Sequence, residues 1–340
     1  MNRIEFAAAH PEVFLIDPGD PHAIARYLHD VGVLSSSNSR SVQVARAGDG
    51  NMNCTVRVIA DGQPLIVKQG RPWVEKYDHI AAPWDRTLVE AAFYEAVTAT
   101  IELAHRMPRL VYVDRVSRIL VLEDEGALDA TPLYAGAIID PPTVDTLTDF
   151  LIQLHALDLD ANGRVAFTNR EMRALNHEHI FRFPLQPGNG LDLDRITPGL
   201  QDAARELRHD ADFTTRVAAL GDVYLADGPQ LVHGDFFPGS WLRTPRGPVI
   251  IDPEFCFLGR GEFDFGVMIA HLILAHQPFA VVDRIRERLA ASTYDSVLIW
   301  QFAGVEIMRR LIGVAQLSLQ ASLLQKRAWL AQARDSVLAS

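Results

Sequence analysis

The segment LVHGDFFPGSWL, residues 231–242, followed by VIIDPEF, residues 249–255, carries the reading of this chain. Polar residues stand in it where strands should be apolar. His233-Gly234-Asp235 ends one apolar run, Ser240 lies five residues beyond that aspartate, and Asp252 and Glu254 follow Ile250-Ile251. The two runs are expected to pair, which would bring three carboxylates to one end of a hairpin. Pro253 biases Asp252 toward extended backbone, and alternate residues of an extended strand point the same way, so Asp252 and Glu254 are expected to project to one side. Oxygen ligands placed in this manner suit a hard divalent ion, Mg²⁺ by default. Each carboxylate taken alone reads most simply as a solvated turn residue, whereas the set at strand ends reads as chemistry.

Around this β island the pattern is helical, over residues 142–157, about 199–220, 262–276, 281–291, 294 to about 319, and a last stretch near the C-terminus. Residues 161–198, rich in Gly, Pro and Asn, give no clear reading. Upstream, strands dominate the first 122 residues. Residues 41–45, 55–60 and 64–69, punctuated by turns at 48–51 and 61–62, form an antiparallel meander. Apolar residues at helical spacing predict a helix from Asp85 or Arg86 to about His105, stopped by Met107-Pro108. Strands at 112–114 and 119–122 follow, then the acidic boundary Glu123-Asp124-Glu125-Gly126. This order predicts an α+β chain of two lobes: a small β-rich lobe over 1–122, a hinge over 123–126, and a larger, mostly helical lobe over 127–340.

Composition narrows the partners. With 340 residues, 48% of them hydrophobic, the chain can bury a sizeable core. Its 32 basic residues face 43 acidic ones, a net charge of -11, which argues against a general nucleic-acid binder. Cys54 and Cys256 are too few for a disulfide framework or a zinc cluster, so a reducing compartment is expected. The opening MNRIEFAAAHPEVF lacks the apolar run of a signal peptide, and GVMIAHLILA at 266–275 is half a membrane span and reads as a buried helix. The expectation is a cytoplasmic protein without a membrane or nucleic-acid partner; a homodimer is left open.

Arginine supplies nearly all the positive charge, and lysine occurs only at Lys68, Lys76 and Lys326. Lys68 lies in the apolar strand PLIVKQ. It reads either as an edge-strand lysine that deters aggregation, or as a cation aimed at phosphate and held by a carboxylate of the next helix. Glu90 is the first choice for that carboxylate and Glu95 the second. The turn from Ala47 to Asn53 lies between strands and lacks the Gly-Lys-Ser/Thr that opens a helix in Walker loops, so alone it is only a hairpin.

Taken in order, the glycine hairpin, strand lysine, helix glutamate, boundary, H-G-D loop and Asp-x-Glu resemble the protein-kinase-like superfamily of small-molecule phosphotransferases. That superfamily includes aminoglycoside phosphotransferases and choline and homoserine kinases. Within it the motifs are most similar to those of methylthioribose kinases. Gly50-Asn51-Met52-Asn53 resembles their G-N-L-N, Val67-Lys68-Gln69 their V-K-Q, and His233-Gly234-Asp235 with Gly239-Ser240 their catalytic loop. Asp252-Pro253-Glu254-Phe255 matches D-P-E-F, Phe263-Asp264-x-Gly266 matches F-D-x-G, and Met308 to Ala315 is similar to the arginine-pair helix. Three departures lie near the implied acceptor pocket: Phe236-Phe237-Pro238 in place of a Leu-His-Thr-like triplet, Arg260 in place of proline, and a shorter segment before Arg309.

The resemblance implies a two-lobed protein-kinase-like fold. It implies transfer of the γ-phosphoryl group of ATP to a sugar hydroxyl, first of all on 5-methylthioribose in methionine salvage. In that scheme Asp235 takes the hydroxyl proton, and Asp252 and Glu254, with weaker support from Ser240, hold Mg²⁺. Lys68 meets phosphate and Glu90 fixes it. Backbone N–H groups around Gly48, Asp49, Gly50, Asn51 and Asn53 cover the triphosphate, while adenine lies against Leu122, Glu123 and Asp124. Arg309 and Arg310 hold the acceptor. Adjacent helical residues diverge by about 100°, so both reach one pocket only if the helix end points at it. The alternatives are the same fold acting on an aminoglycoside, choline, homoserine or another deoxy-sugar, and a catalytically silent nucleotide-binding module. A choline site wants an aromatic and acidic box and an aminoglycoside site an acidic pocket, and an arginine pair suits neither. His155 reads as structural, Asp264 as a helix N-cap that also braces the catalytic loop, and His177 and His179 have no assignment.

Overall fold

A computed structural model describes residues 3–35, 42–48, 52–60 and 62–340. The chain is α+β and divides into two compact units, Met1–Ala127 and Leu128–Ser340.

In the first unit, helices α1 (Arg3–Ala9) and α2 (Pro21–Asp30) precede strands β1 (Gln43–Arg46), β2 (Cys54–Ala60) and β3 (Gln63–Gln69). A small hairpin, β4 (Trp73–Val74) and β5 (Tyr77–Ala81), leads to α3 (Arg86–Val97), α4 (Ile101–Ala104), β6 (Leu110–Asp114) and β7 (Ile119–Glu123). Among the described residues the main sheet has the order β1-β2-β3-β7-β6, antiparallel throughout. In β2 every second side chain is buried, the period-two pattern of a strand with one face on a core. That face packs with Ile24 and Leu28 of α2, together with Val67, Ile119 and Val121.

Two expectations change here. Lys68 sits on β3 between β2 and β7, opposite Thr55 and Leu120, so it is an interior and not an edge-strand lysine. The single helix expected to His105 breaks at Thr98-Ala99-Thr100, where the Thr98 hydroxyl donates to the Glu95 carbonyl at 2.6 Å and competes with the helical ladder.

The second unit starts with α5 (Pro141–His155), capped by Asp140, whose side chain accepts from Thr143 N at 2.9 Å. The unread stretch 161–198 is largely helical: α6 (Ala161–Ala166), α7 (Arg170–His177), a π-helical turn at Glu178–Arg182 and short 3₁₀ turns. The helix expected near 199–220 is two, α8 (Leu200–Arg208) and α9 (Ala211–Leu225), because Asp210 caps a new start by accepting from Phe213 N. Strands β8 (Gln230–Val232), β9 (Trp241–Thr244), β10 (Gly247–Ile250) and β11 (Phe257–Gly259) follow, then α10 (Glu262–Leu274), α11 (Phe279–Leu289), α12 (Ser296–Ile312) and α13 (Leu323–Leu338). Helix α10 is buried nearly all round, as its apolar run foretells. A Cβ on Gly266 would lie 2.6 Å from Phe302 Cβ, so glycine is what lets α10 and α12 approach. Helix α12 stops at Ile312, short of the expected 319. No helix among the described residues is long and apolar enough to cross a membrane.

The β island is wired differently from expectation. β8 pairs with β11, and β9 with β10; the pairing of 231–232 with 249–251 is not made. The cause is Asp252, which adopts left-handed backbone (φ 61, ψ 50) and opens a 3₁₀ turn at Pro253–Phe255. The chain therefore bends at the end of β10 and returns beside β8. Proline disfavours the right-handed region for the residue before it, but aspartate tolerates the left-handed one, so Asp252 is not extended.

Candidate active site

In the second unit, β8 delivers His233-Gly234-Asp235 into a loop that lies directly on the D-P-E-F segment. Gly234 has φ 83, and a Cβ there would meet the Phe255 carbonyl oxygen at 2.2 Å, so only glycine fits. Asp264 receives His233 N at 2.7 Å and Gly234 N at 2.9 Å on its two oxygens. It braces the loop from inside the first turn of α10, whose N-cap is Gly261, so the capping expectation for Asp264 is corrected. His155, at the end of α5, bonds to Asp264 at 3.1 Å and to the Tyr294 hydroxyl at 3.0 Å. His233 Nε2 donates to the Ile251 carbonyl at 3.0 Å, and burial holds this imidazole below its ordinary pKa, hence neutral. Ser240 donates its hydroxyl to the Asp235 carbonyl at 3.0 Å and closes the loop.

The Asp235 carboxylate faces the end of α12. Arg310 Nη2 lies 3.3 Å from Asp235 Oδ1 and Arg309 Nη1 lies 3.9 Å from it. Neighbouring arginines converge because both grip Glu306 one turn earlier: Arg309 Nη1 lies 3.0 Å from Oε2, and Arg310 Nε 2.6 Å from Oε1. Glu306 also accepts from His271 Nε2 of α10 at 3.0 Å, and the Tyr134 hydroxyl bonds to His271 Nδ1. Phe237 lies under the Arg310 guanidinium, 4.9 Å from its ring centroid. Burial pushes the Asp235 carboxyl above its ordinary value against the opposing pull of Arg310 and Arg309. Burial acts on Glu306 in the same sense, but the two arginines and His271 outweigh it and leave that carboxyl well below its ordinary range. Sequence reasoning missed Glu306, His271 and Tyr134. The first was readable, since an acid three and four residues before an arginine pair is the spacing of helical ion pairs.

In the first unit, Lys68 Nζ lies 2.7 Å from Glu90 Oε2, with the residues 3% and 0% exposed. Glu95 is exposed and lies 3.9 Å from Arg115, so the choice between the two glutamates falls to Glu90. Asn53 accepts from Arg86 Nε at 2.7 Å. Arg86 is buried and also donates to the carbonyls of Met52 (2.6 Å), Arg71 (2.5 Å) and Pro83 (2.7 Å). This unforeseen clasp ties the C-terminal end of the glycine hairpin to the first turn of α3, one turn before Glu90. Gly48 is left-handed at φ 70. Asp49, Gly50 and Asn51 lie outside the described residues, as do Asp61 of the second turn and Ser41. Leu122 is buried in β7, and the N–H groups of Glu123 and Asp124 donate to the carbonyls of Arg109 (3.0 Å) and Pro64 (3.3 Å). Those two backbone donors serve the sheet.

Among the described residues no group of three or more His, Cys, Asp or Glu is gathered as for a metal ion, so the three-carboxylate expectation is corrected: Asp235 is turned to the arginines. Asp252 and Glu254 remain as two hard oxygen donors in one turn, the first on strained left-handed backbone of the sort that clusters at functional sites. The expectation that an extended Asp252 projects to the same side as Glu254 is corrected. Mg²⁺ commonly takes one or two carboxylates and leaves its other positions to phosphates and water, so the pair fits that ion.

A buried strand lysine held by a helix glutamate, and an H-G-D loop pinned by an aspartate of the next helix, are the framework of a protein-kinase-like phosphotransferase. Solved structures share the fold. A choline kinase from Streptococcus pneumoniae superposes with a TM-score of 0.50 at 14% identity, covering 92% of this chain and 97% of that one. An AMP-bound spectinomycin phosphotransferase gives 0.51 at 11% identity, covering 89% and 94%. The sequence profile of the phosphotransferase enzyme family matches residues 43–300, and the chain belongs to that family. It is a phosphotransferase with an alcohol group as acceptor. Among curated relatives, the methylthioribose kinase of Exiguobacterium sibiricum is 27% identical over 310 residues, covering 84% of this chain and 76% of the relative. Methylthioribose kinase 1 of Oryza sativa subsp. japonica is 26% identical over 281 residues, and the match spans 76% of this chain but only 63% of that relative.

Proposed function

We propose that the chain transfers the γ-phosphoryl group of ATP to a hydroxyl of a small sugar, and that the sugar is 5-methylthioribose. The observation that carries this reading is the pair Arg309 and Arg310 forked on Glu306 beside Asp235: two guanidinium groups stand next to the base, donors for hydroxyl oxygens and like charges toward a cationic acceptor. The similarity to methylthioribose kinases supports the particular sugar. Asp235 takes the proton as the acceptor oxygen bonds to the γ-phosphorus and ADP leaves. Its raised pKa makes it a stronger proton acceptor than an ordinary carboxylate. Lys68, fixed by Glu90, meets phosphate charge, and backbone N–H groups from Gly48 to Asn53 cover the phosphates. Asp252 and Glu254, with Ser240, would hold Mg²⁺, which when bound neutralises phosphate charge. The residues supply positioning and electrostatics, the main needs of phosphoryl transfer.

The test is ATP consumption with methylthioribose, ribose, 5-deoxyribose, choline, homoserine and kanamycin. Methylthioribose is expected to give the highest kcat/KM. Preference for choline or kanamycin would overturn the substrate, and no turnover with intact Mg·ATP binding would favour a nucleotide-binding module. Lys68→Ala is expected to lower kcat by about 10²–10³ with every acceptor, because a preorganised cation is lost from the phosphate side. A loss confined to one acceptor would show that Lys68 does not serve the nucleotide.

A further inference from the structure

The hydrogen bonds leading away from Asp235 have a fixed direction. Glu306, held ionised by Arg309 and Arg310, has no proton to give and accepts from His271 Nε2 at 3.0 Å. Burial and the nearby Arg310 lower His271 to a pKa of about 4, so the ring is neutral, its one proton is on Nε2, and Nδ1 is an acceptor. The Tyr134 hydroxyl bonded to Nδ1 must therefore donate. Its single proton is spent there, and its oxygen meets everything else with lone pairs. Tyr134 is half-buried, and its ring lies 6.0 Å from that of His271 between centroids. Phe237, which lies under Arg310, also packs against His271 at 5.1 Å between ring centroids, so these residues make one wall beside the arginine pair.

We infer that Tyr134 is a specificity-determining residue: its hydroxyl oxygen, with the proton locked on His271, receives a hydrogen bond from a second hydroxyl of the acceptor. This rests on the functional reading above and narrows it to acceptors that carry at least two hydroxyls. Arginines can only donate and this tyrosine can only accept, so a wall of both suits a neutral polyol, whose hydroxyls do both. A quaternary ammonium has no N–H to give the oxygen. A carboxylate would set lone pairs against lone pairs. Glu306 and His271 are positioning residues that act through Tyr134 and the arginines.

The experiment uses the full chain with Tyr134→Phe, steady-state kinetics on methylthioribose and on its analogues lacking one hydroxyl each, and ¹⁵N NMR of His271. The substitution is expected to raise acceptor KM about tenfold, the scale of one lost hydrogen bond, with kcat within about twofold. One deoxy analogue should lose nothing further, because it already lacks the partner. An unchanged KM, or the same loss for every analogue, overturns the contact. The wild-type His271 should be the Nε2–H tautomer, with Nδ1 the nitrogen perturbed in Tyr134→Phe; an Nδ1–H tautomer overturns the polarity. A wild type that phosphorylates no sugar refutes the functional reading and the contact with it, whereas the tautomer, read on the protein alone, still decides the polarity.

Discussion

Asp235→Asn is expected to lower kcat on the sugar by about 10²–10⁴-fold, the range for removing a general base. The amide is nearly isosteric with the carboxylate, and its oxygen can still accept from Arg310 Nη2, which lies 3.3 Å from Asp235 Oδ1. What is lost is basicity and negative charge. Glu306 continues to hold both arginines in place, so fold and Mg·ATP binding should be retained. The pH profile gives an independent reading. Burial raises Asp235 above the ordinary carboxylate value, so wild-type kcat/KM should fall as pH drops through that raised pKa, when the base is protonated. Activity is full above it. In Asp235→Asn the residual rate should lose this acid limb. Wild-type turnover by the variant, or an acid limb that survives in it, would remove Asp235 from the role of base.

The parts of this site that were readable in the sequence are those whose chemistry is local. Lys68 declares itself as a cation in an apolar strand, and H-G-D and D-P-E-F as polar residues at strand ends. Even the choice of Glu90 over Glu95 was latent in the pattern, because Glu90 falls with Thr87, Ala91, Phe93, Tyr94 and Val97 on the buried side of α3. The rest depends on long-range partners. β8 and β11 are three residues each, too short for periodicity to choose a partner, and their pairing follows from a left-handed Asp252 that the next proline argued only to be extended. His271 stands inside an apolar run and reads as core until Tyr134, 137 residues away, and Glu306, 35 residues away, are placed against it. Arg86 likewise looks like an ordinary helix-start arginine, yet it is buried in carbonyls drawn from three other segments.

Glu306→Leu is expected to destabilise the second unit by about 3–5 kcal/mol, because removing one partner of a buried ionic group leaves the others uncompensated. Glu306 is 1% exposed and is the anion between Arg309, Arg310 and His271. For a unit of this size, about 2–4 °C of Tm per kcal/mol puts the fall in melting temperature at roughly 6–20 °C. Glu306→Gln keeps an acceptor oxygen and should lose less. The triple variant Glu306→Leu, Arg309→Met, Arg310→Met separates two explanations of the network. It removes Glu306 and both arginines together and leaves only Asp235, whose burial favours taking up a proton once the arginines are gone. Replacing a buried ionic group by apolar residues is often neutral or stabilising. If the arginines are there for the acceptor, the triple variant should recover most of the lost stability while failing to bind the sugar. If the network is there for the fold, the triple variant should remain as unstable as Glu306→Leu. Chemical denaturation of the three variants decides between them, and a loss below about 1 kcal/mol in Glu306→Leu would show that water reaches the arginines and that their convergence on Asp235 does not depend on Glu306.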